Sequence, residues 1–141
     1  MSEIQDLPLS AQQRLELSRE ALQSHLRGRS NQADPSIDAR LAVLQATLNS
    51  DWITSSKTSR LISIGAGFGD LLAEHLLLEW VWVEDELGTS TALNWPGTTI
   101  LCFPLAMILN RFNDGELIDL KALFKATCDD ILDLAFNQDT L

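Results

Sequence analysis

The stretch Glu79-Trp-Val-Trp-Val-Glu-Asp-Glu-Leu-Gly88, followed by Thr89-Ser-Thr-Ala-Leu-Asn-Trp-Pro-Gly97 and Thr98-Thr-Ile-Leu-Cys-Phe-Pro104, decides the fold. It holds three of the four tryptophans and two turn signals. From Leu78 to Val83 side chains alternate, with Trp80 and Trp82 on one face and Val81 and Val83 on the other. Both faces are apolar, so this is expected to be the best-covered strand. Glu84 to Gly88 is a polar turn, and Thr89 to Asn94 is a second strand. Pro96-Gly97 suits the centre of a type II turn, because proline fixes one backbone angle and glycine accepts a positive φ. Thr98 to Phe103 completes a three-stranded antiparallel meander.

Helices flank this meander. Ser10 and Gln13 have capping-box spacing, and Leu15, Leu22 and Leu26 line one face of a helix that Gly28 can end. Asp34-Pro35 marks a second helix start, with Ile37, Leu41, Leu44 and Leu48 as its stripe. Trp52, beside the break that follows, is expected to fold over the helix end. A third helix begins between Thr54 and Lys57 and ends near Leu77; Leu61, Ile64, Phe68, Leu71, Leu72 and Leu76 are spaced for burial. Gly65, Gly67 and Gly69 lie inside it, each disfavoured by about 1 kcal/mol relative to alanine. Close approach of another element is the offset expected at Gly65 and Gly69, which share a face. Pro104 opens a fourth helix, stopped at Asn113-Asp-Gly115, and Asp119 caps a fifth. Leu120, Phe124, Ile131 and Leu134 are placed on the inner face of the fifth, with Asp129, Asp130 and Asp133 mostly outside. The expectation is a single α+β domain over residues 1–141: N-terminal helices, the meander, two C-terminal helices, all helices on one side of the sheet, and residues 1–9 as a flexible arm.

The net charge of −10 is unevenly placed. From Leu61 onward, Arg111, Lys121 and Lys125 stand against thirteen acidic residues. That field opposes phosphate backbones, so nucleic acid is excluded as a partner, and it favours a basic protein. No run of about 18 apolar residues is present to span a membrane. The N-terminus has no secretory pattern, so Cys102 and Cys128 are expected as reduced apolar side chains in the cytoplasm.

Several motifs suggest chemistry and fall short of it. Gly65-Ala-Gly-Phe-Gly-Asp70 resembles a dinucleotide loop, but Asp70 stands where a third glycine belongs and the preceding segment is helical. The carboxylates of Glu84, Asp85 and Glu86 lack the calcium-loop pattern. Only two histidines and no CxxC pair exist, so neither a zinc site nor a cofactor is expected. His75 could serve an acid–base pair with Glu74 or Glu79, or a thiol pair with Cys102 or Cys128, if a pocket gathered them. Its place near a helix C-terminus already explains it through the helix dipole. Trp95, beside Pro96, is expected to be the exposed tryptophan and, with Asp85 and Glu86, the candidate partner contact.

As a set, Gly65-x-x-x-Gly69-Asp70, Glu79-Trp80, Asp85-Glu86-x-Gly88, Pro96-Gly97-Thr98 and Phe103-Pro104-x-x-Met107-Ile108-x-x-Arg111 resemble a bacterial domain-of-unknown-function family across residues 60–120. That family is a small domain with a glycine-bearing helix, a sheet and a Phe-Pro-led helix. It carries no established activity, so the resemblance implies a fold and a bacterial origin. Arg111 has two readings: an ion pair with Asp85 or Asp70, or a guanidinium holding a ligand's carboxylate or phosphate. The leading functional expectation is a non-catalytic protein-interaction module, immunity- or inhibitor-like toward a basic partner. The alternative is a small-molecule binder or enzyme with a cleft near Arg111, Asp70 and His75. A homodimer through an uncovered sheet edge or face is a third.

Overall fold

The computed structural model describes residues 3–27, 36–86 and 88–138. The elements in chain order are β1 (Glu3–Asp6), α1 (Leu9–Leu26), α2 (Ile37–Leu48), a 3-10 helix (Asp51–Ser56), α3 (Lys57–Leu76), β2 (Glu79–Asp85), β3 (Gly88–Asn94), β4 (Leu101–Cys102), α4 (Pro104–Asn113) and α5 (Leu120–Gln138). The class is α+β, with five α-helices and an antiparallel sheet ordered β1-β2-β3-β4.

The sheet has one strand more than the meander. Residues expected as a flexible arm form β1, which pairs with β2 in the register Glu3↔Glu84, Ile4↔Val83, Gln5↔Trp82 and Asp6↔Val81. Ile4 then faces the same side as Val83 and adds to a small cluster of Val81, Val83 and Ala92. The β3–β4 end is shorter than expected. The Thr98 hydroxyl donates to Trp95 O and accepts from Ile100 N, while Asn94 Nδ2 donates to Thr98 O and Ile100 O. Those side-chain bonds occupy backbone groups before the ladder begins, leaving Leu101 and Cys102 as the strand. The Pro96-Gly97 turn forms as expected, with Gly97 at φ +80° and Thr98 N donating to Trp95 O at 3.1 Å.

Helix ends follow local chemistry. The capping box at Ser10 does not form: α1 starts after Pro8, and Gln12 Nε2 turns back to Leu7 O at 2.8 Å. The expected Gly28 stop and Asp34-Pro35 start lie outside the described residues; α2 is capped by Ser36, whose Oγ accepts from Ala39 N at 3.1 Å. Helix α4 ends in a Schellman arrangement, with Gly115 at φ +77°, Gly115 N donating to Phe112 O and Glu116 N to Arg111 O. Asp119 caps α5 through Ala122 N, and Gln45 of α2 reaches across to Leu120 N and Ile118 O.

The main core draws on all five helices and on the sheet face that carries Trp80, Leu93 and Cys102. Helix α3 runs through it; Leu61, Ile64, Phe68 and Leu72 are fully buried. On β2 the valines are more buried than the tryptophans, since Trp80 and Trp82 remain partly exposed. Leu134, placed inside by spacing, is 51% exposed at the outer end of α5.

Candidate functional site

The three glycines of α3 meet three different neighbours. A Cβ at Gly65 would lie 2.9 Å from Leu105 Cα, so α4 rests on α3 backbone to backbone. At Gly69 it would lie 2.5 Å from the Trp80 ring and 3.0 Å from Pro104. At Gly67 it would meet only methyl ends of Leu22 and Leu44, at 3.0 and 3.1 Å. The segment resembling a nucleotide loop is therefore closed helix. Its amides are spent in the helix, and the space beside it is filled by α4 and Trp80.

Asp70 follows directly. Arg19 of α1 grips it through Nε and Nη2, both at 2.8 Å, and Trp80 Nε1 donates to its Oδ1 at 2.9 Å. One carboxylate thus ties α1, α3 and β2 together. The bidentate bond to Asp70 is the main cause that raises the Arg19 pKa. An ion pair between Asp70 and Arg111 does not form. Arg19 was not legible as the partner, although it follows Leu15 by four positions on the inner face of α1.

Arg111 and His75 line separate concavities, and Asp70 lines neither. Arg111 lies on a groove of about 400 Å³ between α4, α5 and β4, together with Leu101, Met107, Asp130, Ile131 and Leu134. Its recorded hydrogen bond is to Met107 O at 3.4 Å, and among the described residues no carboxylate lies within 4.0 Å of it, Asp85 included. His75 lies on a groove of about 620 Å³ between α2, α3 and α5, with Asp38, Lys121, Phe124 and Cys128. Its ring sits 5.7 Å from Phe124. A third concavity, of about 400 Å³, holds Trp82 against Arg14, Leu15 and Leu105. None of these three concavities gathers Arg111, Asp70 and His75.

His75 and Cys128 share a groove, which is the arrangement a thiol–imidazole pair requires. The thiol is unsuited to attack: burial pushes the Cys128 pKa up, and Asp129 adds to it. Burial pushes Cys102 further, to about 12. Both thiols are reduced and buried. Among the described residues no group of three His, Cys, Asp or Glu side chains could hold a metal ion.

The partner-contact candidates are also divided. Asp85 and Glu86 are exposed at the β2–β3 turn, where the β1 pairing sets Glu3 directly opposite Glu84. Trp95 lies at the other end of β3, roughly 20 Å away at about 3.3 Å per residue, and packs half-buried against the core. The exposed aromatic is Phe136 instead, at 69%. Trp52 is stacked on His25 at 4.8 Å, with Arg60 over its ring.

With this geometry in place, the comparisons are specific about family and silent about activity. A family model described as a domain of unknown function (DUF3806) matches residues 40–124, more than half of the chain, and the chain belongs to that family. The matched span runs from α2 into α5 and includes the glycines of α3, Asp70 and Arg111. No curated protein matches the chain. A crystal structure from Bacteroides thetaiotaomicron is similar in fold, with a TM-score of 0.76 and 17% identity, over 92% of this chain and 48% of that one. The chain thus spans about half the length of that structure. Among the described residues no helix is long and apolar enough to cross a membrane.

Proposed function

We propose that this chain is a non-catalytic protein-interaction module of a bacterial cytoplasm, whose acidic sheet end engages a basic partner. The observation that carries this reading is the turn where β1 meets the β2–β3 hairpin. Glu3 and Glu84 face each other across the ladder, with Asp85 and Glu86 beside them, all exposed. Like charges directly opposite are unfavourable in a sheet, so a cationic surface docked there is attracted to both carboxylates, Glu84 being met among the described residues only by Gln5 Nε2 at 3.4 Å. Four cations elsewhere are paired with carboxylates: Arg19 with Asp70, Arg40 with Glu74, Lys121 with Asp38 and Lys125 with Asp129. Glu3, Glu84 and Glu86 have no cationic partner among the described residues. The groups with reactive potential support the same reading, since Asp70 is held by Arg19 and Trp80 and burial keeps both thiols protonated.

Affinity capture from a bacterial lysate across a salt series tests this. The expected result is a basic protein retained at low salt, released as salt rises, and lost on the double substitution Glu84→Lys with Glu86→Lys. Retention that ignores both salt and charge reversal, or no retained protein at all, would overturn the reading.

A further inference from the structure

We propose that the groove between α4, α5 and β4 takes an extended peptide that adds to β4 as a fifth strand and sets a carboxylate on Arg111. The inference rests on the reading of the chain as a protein-binding module, and it concerns a surface away from the acidic turn.

The course of the groove follows from its lining. Leu101 and Cys102 are successive strand residues, so their side chains point to opposite faces. Leu101 packs against the small cluster of Val81, Val83 and Ala92, and Cys102 belongs to the main core. Both nevertheless line the same groove. A concavity reached from both faces runs along the strand's edge, and β4 is the outermost strand of the sheet.

That edge has free backbone groups. Trp95 N donates to Ile100 O at 3.2 Å, and Leu93 pairs with Cys102. Alternation along an antiparallel strand then turns the backbone of Ile100 and Cys102 toward β3 and the N–H and C=O of Leu101 outward. Among the described residues Leu101 has no backbone partner on that outer side. An added strand supplies those hydrogen bonds, which is how extended peptides dock on sheet edges.

Side chains around the edge specify the peptide. Met107, Ile131 and the exposed Leu134 form apolar walls for alternate peptide side chains. Arg111 lines the groove with no carboxylate within 4.0 Å among the described residues, in a chain with twenty acidic residues. Its planar guanidinium matches a carboxylate in two-pronged geometry. Asp130 lines the same groove and repels a second carboxylate, which sets the peptide's direction. The occupant is therefore an extended segment with an apolar residue close to an acidic side chain.

The test is selection from a displayed library of random peptides with free C-termini, against the full chain. Expected binders carry an apolar residue near Asp or Glu, and binders that share only their terminal carboxylate would overturn that assignment. Their affinity is expected to fall at least about tenfold with Arg111→Glu, the scale on which a lost charge-assisted contact reads. Leu101→Pro is expected to act alike, because it deletes the outward N–H while sparing the Cys102–Leu93 pair. Should Leu101→Pro fail to fold, the surface substitution Arg111→Glu decides. No recovered binder, or binders indifferent to Arg111→Glu, would overturn the proposal. Sedimentation showing two copies associating through this groove would also overturn it, in favour of self-assembly. Salt-sensitive capture at Glu84 and Glu86 is expected to survive Arg111→Glu, so failure here and failure of the interaction-module reading are told apart.

Discussion

Two charged residues of the family region, Asp70 and Arg111, have opposite fates. Asp70 lies where α3, α1 and β2 meet, and all three of its recorded bonds go to Arg19 and Trp80. Arg111 lies one helix away on the rim of an open groove and has no carboxylate among the described residues. Both stand out in the sequence as lone charges beside apolar runs. The difference is in what the neighbouring backbone permits. Gly69 lets Trp80 lie against α3 and deliver its indole N–H to Asp70, whereas Arg111, equally half-buried, meets no carboxylate among the described residues. A charge that the fold satisfies is structural, and a charge that it leaves at a groove is available to a ligand.

The closed side of this comparison is easiest to break at its glycines. Gly69→Ala puts a methyl into the Trp80 ring and against Pro104, and the ring is held by its bond to Asp70. Loss of roughly 2–3 kcal/mol in urea unfolding is expected, the upper range for overpacking. Gly67→Ala meets only the movable ends of Leu22 and Leu44. There the gain of about 1 kcal/mol in helix propensity offsets the crowding, and stability should stay within about 1 kcal/mol of the parent. Equal losses at both positions would mean that the glycines are not shaped by their neighbours.

Cys102 sharpens the boundary, because it belongs to the core and also lines the groove of Arg111. Its folded pKa is raised to about 12 from 9.0, so the folded state keeps a proton that the unfolded chain releases. Stability from this group is complete below pH 9 and is lost as pH climbs toward 12, by roughly 2 kcal/mol at about pH 10.5. Urea unfolding of the parent and of Cys102→Ala at neutral and alkaline pH checks this, with a flatter alkaline decline expected in the variant. An identical decline would mean that the groove opens to solvent at Cys102.

Sequence pattern was enough for what depends on near neighbours. The α3 stripe, the Pro96-Gly97 turn, the Gly115 stop and the Asp119 cap all follow from residues within a few positions of each other. What it could not reach depends on distant pairing. Glu3-Ile-Gln-Asp6 has one apolar residue and no turn beside it, and becomes a strand only because β2 offers an open edge. Arg19 and Asp70 are 51 positions apart, and no local rule selects that carboxylate over its many alternatives. Trp95 looked exposed because prolines and glycines mark surfaces, yet the turn folds its ring back on the core. The shortening of β4 came from Asn94 and Thr98 competing for backbone groups, an outcome that a strand propensity does not encode.

The most direct test of the central contrast is urea unfolding of Asp70→Ala beside Arg111→Ala. Asp70→Ala leaves Arg19 without its partner and Trp80 Nε1 without an acceptor. It should lose about 1 kcal/mol, given that the pair is partly exposed. Arg111→Ala should leave stability within about 0.5 kcal/mol of the parent, since a half-buried guanidinium with one long bond to Met107 O and no carboxylate contributes little. A larger loss at Arg111 than at Asp70 would contradict the account and make Arg111 the residue that holds the fold.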